Sequence, residues 1–150
     1  MKDQSLLEEI MTREVICLRP NDKLSKALEQ FNLHPIHHLL ITDGKNGNLL
    51  GVLSKSDVLD VFLSGLEKGK PVEVGDLEKI PVSDAMTDDP IFLDPSDSIG
   101  LAADLILANK FHSLPIVEVG KLTGIVTSHD LLKFAFQKIK PEDLTDSYQE

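Results

Sequence analysis

Two short segments place a hydroxyl residue three positions before an aspartate, a spacing that suits the first turn of a helix. They are Ser54 with Asp57 and Thr127 with Asp130. The pattern is that of a capping box, in which the hydroxyl accepts from the amide three residues on and the acid accepts from the amide of the cap. Hydroxyls and free N–H groups at such a turn also favour a phosphate. Capping and ligand binding are compatible, so both interpretations stay open.

Five histidines in an acidic chain suggest a metal site, and His34, His37 and His38 lie close together. Their spacing matches no zinc motif, because neither a cysteine pair nor an H-E-x-x-H segment accompanies them. We therefore predict no metal site. A structural or exposed role and contact with a ligand remain as alternatives for these side chains.

The sequence contains no recognisable catalytic constellation. Residues 44–47, Gly-Lys-Asn-Gly, lack the spacing and ending of a Walker A loop, and no G-x-G-x-x-G segment follows a strand. Nothing singles out a catalytic pair of acids or a Ser/His/Asp set. We predict that the protein is not an enzyme.

The chain is acidic, with a net charge of −10 and a pI near 4.8. Nucleic acids and anionic membranes need a basic surface, so we expect neither as a partner. No long apolar run is present, and we expect a soluble, cytoplasmic protein without a signal peptide or membrane span. The single cysteine, Cys17, lies between apolar residues and is predicted to be a buried thiol in a strand.

One half of the chain repeats the other. Met11-Thr12 with Ile16 returns 75 residues later as Met86-Thr87 with Ile91. The register continues through a helix whose apolar positions recur at i, i+3, i+4 and i+7. These positions are Leu24, Ala27, Leu28 and Phe31, matched by Ile99, Ala102, Ala103 and Ile106.

Each of these helices is followed by two apolar runs around a glycine-bearing turn, which predict hairpins over 39–53 and 114–126. The first turn is two residues longer than the second, a change that costs little in a loop. A second amphipathic helix follows each hairpin. The N-cap candidates of the first helices are Asp22 in repeat one and Ser96 or Asp97 in repeat two.

Strand, helix, hairpin and helix thus occur twice, which predicts an α+β fold of two β-α-β-β-α motifs. We expect the first motif over residues 6–63, a linker over 64–81, the second motif over 82–137 and a frayed acidic tail over 138–150. A half of about 55 residues would be marginally stable alone. The motifs should therefore pack about a pseudo-twofold axis as one module.

This duplicated pattern resembles the CBS motif, whose members occur in pairs called Bateman modules. The marks are M-T-x-x-x-I at 11–16 and 86–91, H-S-L-P-I-V at 112–117, and G-h-h-[S/T]-x-x-D at 51–57 and 124–130. The resemblance covers residues 6–137. It implies a regulatory, energy-sensing module without a catalytic cofactor. Its effector would be an adenosyl ligand in the clefts between the motifs, drawn from AMP, ADP, ATP, S-adenosylmethionine and NAD.

The resemblance also implies two binding sites. Asp57 would meet the start of repeat two and Asp130 the start of repeat one, each accepting hydrogen bonds from ribose hydroxyls. Phosphate would lie at Ser54 and Thr127, and histidines could stack on adenine or pair with phosphate. The first site comprises Val52, Ser54, Ser56, Asp57, Thr87, Pro90, Ile91, Phe111, His112, Ser113 and Pro115. The second site comprises Thr12, Ile16, Ile36, His37, His38, Ile125, Thr127, His129 and Asp130.

Two departures from the family pattern rank these sites. Pro115 has Leu40 as its counterpart in repeat one, so the Asp130 site is expected to have an altered adenine wall and the lower affinity. His38 and Ser113 occupy positions where many relatives carry an arginine, so triphosphates should bind least well. Phosphate affinity at the Asp130 site should rise as the pH falls and its histidines become charged.

The apolar second helices, over 58–63 and 131–136, predict a homodimer. Since the chain carries no evident effector domain, its output would pass through an unidentified effector protein. The alternative function is a constitutive dimerisation or scaffold module with degenerate ligand sites.

Overall fold

The computed structural model describes residues 5–44, 47–109 and 112–138. The chain divides into two compact units. The Asp57 unit comprises Glu14–Ile91 and Val117–Leu122, and the Asp130 unit comprises Met1–Arg13, Phe92–Ile116 and Thr123–Glu150. Each unit therefore takes residues from both repeats.

The Asp57 unit is built on a four-stranded sheet of order β1-β2-β3-β4, in which β1 and β2 are parallel and the other pairs antiparallel. The strands are β1 (Cys17–Leu18), β2 (His38–Thr42), β3 (Leu49–Ser54) and β4 (Thr87–Asp88). The helices are α1 (Leu24–Leu33) and α2 (Lys55–Glu67), with 3-10 turns at Val74–Glu78 and Val82–Asp84. The buried core comprises Leu18, Leu24, Ala27, Phe31, Leu39, Ile41, Leu53, Val58, Leu77 and Val82.

The Asp130 unit begins with a 3-10 turn at Leu7–Glu9 and contains two helices beside a hairpin. These elements are α3 (Ile99–Asn109), β5 (Ser113–Glu118), β6 (Lys121–Thr127) and α4 (Ser128–Lys138). The hairpin turns at Val119 and Gly120, both with positive φ, and this turn is counted with the Asp57 unit. The buried core comprises Leu7, Met11, Leu93, Ile99, Ala102, Ile106, Leu114, Ile116 and Val126.

Equivalent contacts stabilise each of the two units internally. In each unit the last hairpin strand of one repeat pairs with the first residues of the other: Val52 with Thr87, and Ile125 with Thr12. The parallel pairing of Leu18 with Ile41 likewise returns 75 residues later in Leu93 and Ile116. The mixed helix-and-strand fold predicted from the sequence is confirmed. Because the starting segments are exchanged, however, a unit is not one repeat.

The apolar faces predicted for the first helices are largely confirmed, since Leu28 and Ala103 are half-buried and the other positions are buried. The buried positions are Leu24, Ala27 and Phe31 in α1, and Ile99, Ala102 and Ile106 in α3. These side chains form the inner surface of each helix, as their 3.6-residue period requires.

The predicted N-caps of these helices are wrong. Lys23 occupies the N-cap of α1 without a side-chain hydrogen bond, and in α3 the Leu101 N–H donates to Ser98 Oγ. Asp22 instead accepts from the N–H of the residue three positions before it at 2.8 Å, and Asp97 does the same. Both aspartates therefore close the turn that precedes the helix. Ser96 donates to Asp94, which lowers the pKa of that carboxyl.

Cys17 is exposed, so the predicted buried thiol is wrong. Side chains alternate along a strand, and β1 directs Leu18 into the core and Cys17 away from it. Atoms around the sulfur still desolvate it in part, which raises the pKa of the thiol.

Much of the region predicted as a linker, 64–81, is ordered. Its first residues continue α2 to Glu67, and Leu77 is fully buried in the core of the Asp57 unit. The predicted acidic tail lies outside the described residues, apart from Lys138 at the end of α4. Within the described ranges, every helix is too short or too polar to cross a bilayer.

Candidate functional site

Ser54 is the N-cap residue of α2 and forms the predicted capping box with Asp57. The Asp57 N–H donates to Ser54 Oγ at 3.0 Å, and the Ser54 N–H donates to Asp57 Oδ2 at 2.8 Å. Both residues are half-buried. In the part of the chain that the structure describes, Asp57 Oδ1 has no hydrogen-bond partner. One carboxylate oxygen thus holds the helix start, while the other is available as an acceptor.

The same capping box forms at α4. The Asp130 N–H donates to Thr127 Oγ1 and the Thr127 N–H donates to Asp130 Oδ2, both at 3.0 Å. Here the carboxylate has a further partner, because Thr12 Oγ1 lies 3.2 Å from each of its oxygens. Asp130 therefore contacts the start of repeat one, the neighbour that the family resemblance implied.

The start of repeat two lies beside β3 in the Asp57 unit. β4 places Thr87 opposite Val52, which is two residues before the capping Ser54. Among the described residues, no hydrogen bond joins Thr87 to Asp57. Asp57 and Asp130 occupy equivalent positions, but only Asp130 receives a threonine hydroxyl from the opposite repeat.

Two glycines that the site prediction omitted bring these segments close. A Cβ on Gly51 would lie 2.8 Å from the carbonyl oxygen of Thr87, and a Cβ on Gly124 would lie 2.7 Å from that of Thr12. Such distances are too short for any other residue without movement of the backbone. The glycine that opens each copy of the G-h-h-[S/T]-x-x-D pattern was the sequence feature that could have identified these two residues.

The other predicted site residues fall in both units. With Asp57 lie Val52, Ser54, Ser56, Thr87, Pro90 and Ile91, while His112, Ser113 and Pro115 belong to the Asp130 unit. With Asp130 lie Thr12, Ile125, Thr127 and His129, while Ile16, Ile36, His37 and His38 belong to the Asp57 unit. Phe111 lies outside the described residues. The joining of these sets into two clefts stays a prediction.

The replacement of proline by Leu40 has a visible backbone consequence. The Leu40 N–H donates to the carbonyl of Ile16 at 3.3 Å, a bond from β2 to the residue just before β1 that a proline cannot make. At the equivalent place in repeat two, Pro115 is buried and only its carbonyl takes part, accepting from Leu93 at 3.0 Å. The strand that carries His38 is therefore more fully paired than its counterpart.

The histidines form no metal centre in the described structure. Within residues 5–44, 47–109 and 112–138, no three His, Cys, Asp or Glu side chains are grouped so that they could hold an ion. His34, His37, His112 and His129 are exposed, and His38 is half-buried.

A family model for the CBS domain matches residues 7–64 and 82–136. The chain belongs to the CBS domain family, and the two matches make it a tandem pair. In the solved structure of the CBS-pair protein CBSX2 from Arabidopsis thaliana, 28% of aligned residues are identical and the TM-score is 0.77. The alignment covers 90% of this chain and 96% of that one.

A second CBSX2 structure, solved in complex with AMP, is 30% identical, with a TM-score of 0.74 and coverage of 88% of this chain and 96% of that one. Among curated proteins, MJ1225 from Methanocaldococcus jannaschii is 28% identical over 127 residues. That match covers 85% of this chain but 41% of the relative, so the chain spans less than half of that protein.

Proposed function

We propose that the protein is a regulatory module that binds an adenosyl ligand, with AMP as the best candidate, at Asp57 and Asp130. The observation that carries the proposal is the free oxygen of Asp57, held at the first turn of α2 beside the start of repeat two. An ionised carboxylate in this position can accept hydrogen bonds from both hydroxyls of a ribose. The related CBSX2 forms a complex with AMP, which supports the choice of ligand.

A single phosphate suits this site better than three. The Lys55 N–H already donates to the carbonyl of His37 and the Asp57 N–H to Ser54, so part of the helix N-terminus is occupied. The exposed Ser56 hydroxyl is one donor that remains in this turn, and Asp88 and Asp89 follow Thr87 nearby in sequence. Binding of a triphosphate would bring more negative charge towards these acids.

Ligand binding is expected to raise the thermal stability by mass action. AMP at ten times its dissociation constant should add about 1.4 kcal/mol to the free energy of unfolding. Differential scanning fluorimetry with AMP, and with UMP as the control for the base, measures this shift. Equal melting temperatures with and without AMP, ATP, S-adenosylmethionine and NAD at millimolar concentration would favour the scaffold function. Such a module has no catalytic role, so the nucleotide should remain intact during the measurement.

The Thr12 hydroxyl is expected to weaken the Asp130 site because it occupies the oxygens that a ribose would need. Thr12→Val removes this donor with little change in shape and should increase affinity roughly two- to fivefold, corresponding to a weak hydrogen bond of about 0.5–1 kcal/mol. Calorimetric titration with AMP measures the effect. Thr87→Val is the matched variant and should produce no gain. A loss of affinity in Thr12→Val would mean that Thr12 serves the ligand instead.

We also propose a homodimer formed through α2 and α4. Leu59, Leu63 and Leu66 recur on one face of α2 and are 47–62% exposed, and Leu132 and Phe136 of α4 are 66% and 63% exposed. Apolar stripes of this kind usually mark an interface. Leu63→Glu should therefore give a monomer in analytical ultracentrifugation, because it would bury a charge without a partner. Leu33→Glu, on the exposed end of α1, is the control and should leave a dimer; a wild-type monomer at micromolar concentration would contradict the proposal.

A further inference from the structure

A cavity of about 360 Å³ opens in the Asp57 unit, at the end of the β2–β3 hairpin opposite Ser54. The side chains that matter for its chemistry are Cys17 on β1, Arg19 just after β1, Asp22 in the turn before α1 and Lys26 in the first turn of α1. Gly44 and Gly47 of the long hairpin turn also line it. The cavity shares no residue with the two predicted adenosyl sites.

At this place the two repeats differ in charge and in the length of the turn. The turn beside the cavity is the one that is two residues longer than its counterpart in repeat two. The residues 75 positions after Arg19 and Lys26 are Asp94 and Leu101. Two cations, an extended turn and a cavity therefore coincide in repeat one, in a protein whose net charge is −10.

The carboxylate of Asp22 forms an exposed ion pair with Lys26 but leaves the Arg19 guanidinium free, as the contacts of its two oxygens show. One accepts from the Arg19 N–H at 2.8 Å, and the other lies 3.5 Å from Lys26 Nζ. The Arg19 guanidinium has no hydrogen-bond partner among the described residues. Its donors are therefore available in the cavity.

Gly44 positions the Arg19 side chain. The Gly44 N–H donates to Thr42 Oγ1 at 3.2 Å, and its φ of 76° is one that glycine adopts without strain. A Cβ at this position would overlap the guanidinium nitrogen Nε of Arg19. The guanidinium thus lies directly against the turn, where its planar fork can approach an anion.

We infer that this cavity binds a small molecule carrying one phosphate group, with Arg19 and Lys26 as its cationic ligands. Guanidinium matches phosphate in a bidentate geometry. Lys26 can supply a second positive charge to a dianion, because its ion pair with Asp22 is long, at 3.5 Å, and exposed, and such pairs are weak. The volume is at the lower end of the range for small-molecule sites, which fits a sugar phosphate. The inference is independent of the proposed adenosyl function, because no residue is shared.

Cys17 reports occupancy of the cavity, because it is the only cysteine and lines the wall. Its rate of alkylation by iodoacetamide is measured at alkaline pH, since the raised pKa of the thiol limits the thiolate at neutral pH. Saturating inorganic phosphate, compared with chloride at equal ionic strength, should slow the reaction roughly threefold or more. Ribose 5-phosphate should protect at lower concentration, and ribose should not protect.

Arg19→Gln should abolish this protection, while Arg13→Gln, the other arginine of the chain, should retain it. Melting curves establish that both variants are folded. The Asp57→Ala/Asp130→Ala double variant should still be protected, which separates this cavity from the adenosyl sites. Equal rates with phosphate and chloride, or protection that survives Arg19→Gln, would overturn the inference. Protection by acetate as strong as that by phosphate would overturn the choice of ligand.

Discussion

Asp57→Ala is expected to weaken AMP binding at least about tenfold, because the ribose hydroxyls lose their charged acceptor. Hydrogen bonds to a charged group contribute about 1.5–3 kcal/mol each, and a tenfold change corresponds to about 1.4 kcal/mol. Asp57 Oδ1 is the free acceptor in this site, while Oδ2 holds the Ser54 N–H. Isothermal titration calorimetry with AMP measures the loss.

The capping role of Asp57 requires its own control, because the same substitution also removes the bond to Ser54. Asp76 provides the control, since its Oδ2 accepts from the Glu73 N–H at 2.8 Å, the same hydrogen bond that Asp57 makes to Ser54, outside the predicted sites. Asp76→Ala should lose comparable stability without changing AMP affinity.

Asp130→Ala should weaken binding less than Asp57→Ala, because Thr12 already competes for the Asp130 carboxylate. If Asp130→Ala instead abolished the tighter binding event while Asp57→Ala left it intact, the ranking of the two sites would be wrong.

Gly51→Ala is expected to destabilise the protein by about 1–3 kcal/mol, the usual cost of overpacking. The added Cβ would lie 2.7 Å from Met86 Sδ and 2.8 Å from the Thr87 carbonyl oxygen. The methionine side chain can move, but the carbonyl belongs to the paired strand β4 and cannot move alone. Urea unfolding monitored by circular dichroism measures the change as a lower midpoint.

Gly124→Ala should behave in the same way, since its Cβ would meet the Thr12 carbonyl oxygen at 2.7 Å. Gly75→Ala is the matched control, because among the described residues no atom outside its two chain neighbours lies within 4 Å of a Cβ there, and its φ is not positive. Equal midpoints for Gly51→Ala and Gly75→Ala would show that the close approach of the strands is not needed.

Local sequence was sufficient for the elements and the helix starts of the site. The 3.6-residue period of Leu24, Ala27 and Phe31 and the three-residue spacing of Ser54 and Asp57 depend on neighbours within two helical turns. The duplication then predicted that each element would occur twice. These features form in any context that permits the helix, so they can be predicted from short segments alone.

Pairing between distant segments was decided only by the tertiary structure. Strand pairing joins Val52 and Thr87, which are 35 residues apart in the sequence, and a hydrogen bond joins Thr12 and Asp130, which are 118 residues apart. The exposure of Cys17 depends on which side of β1 faces the core. A strand of two residues is too short for an alternating sequence pattern to show this. The open guanidinium of Arg19 beside Gly44 likewise depends on where a separate turn folds back. Local propensity reaches only the next few residues, whereas these contacts follow from the packing of the whole unit.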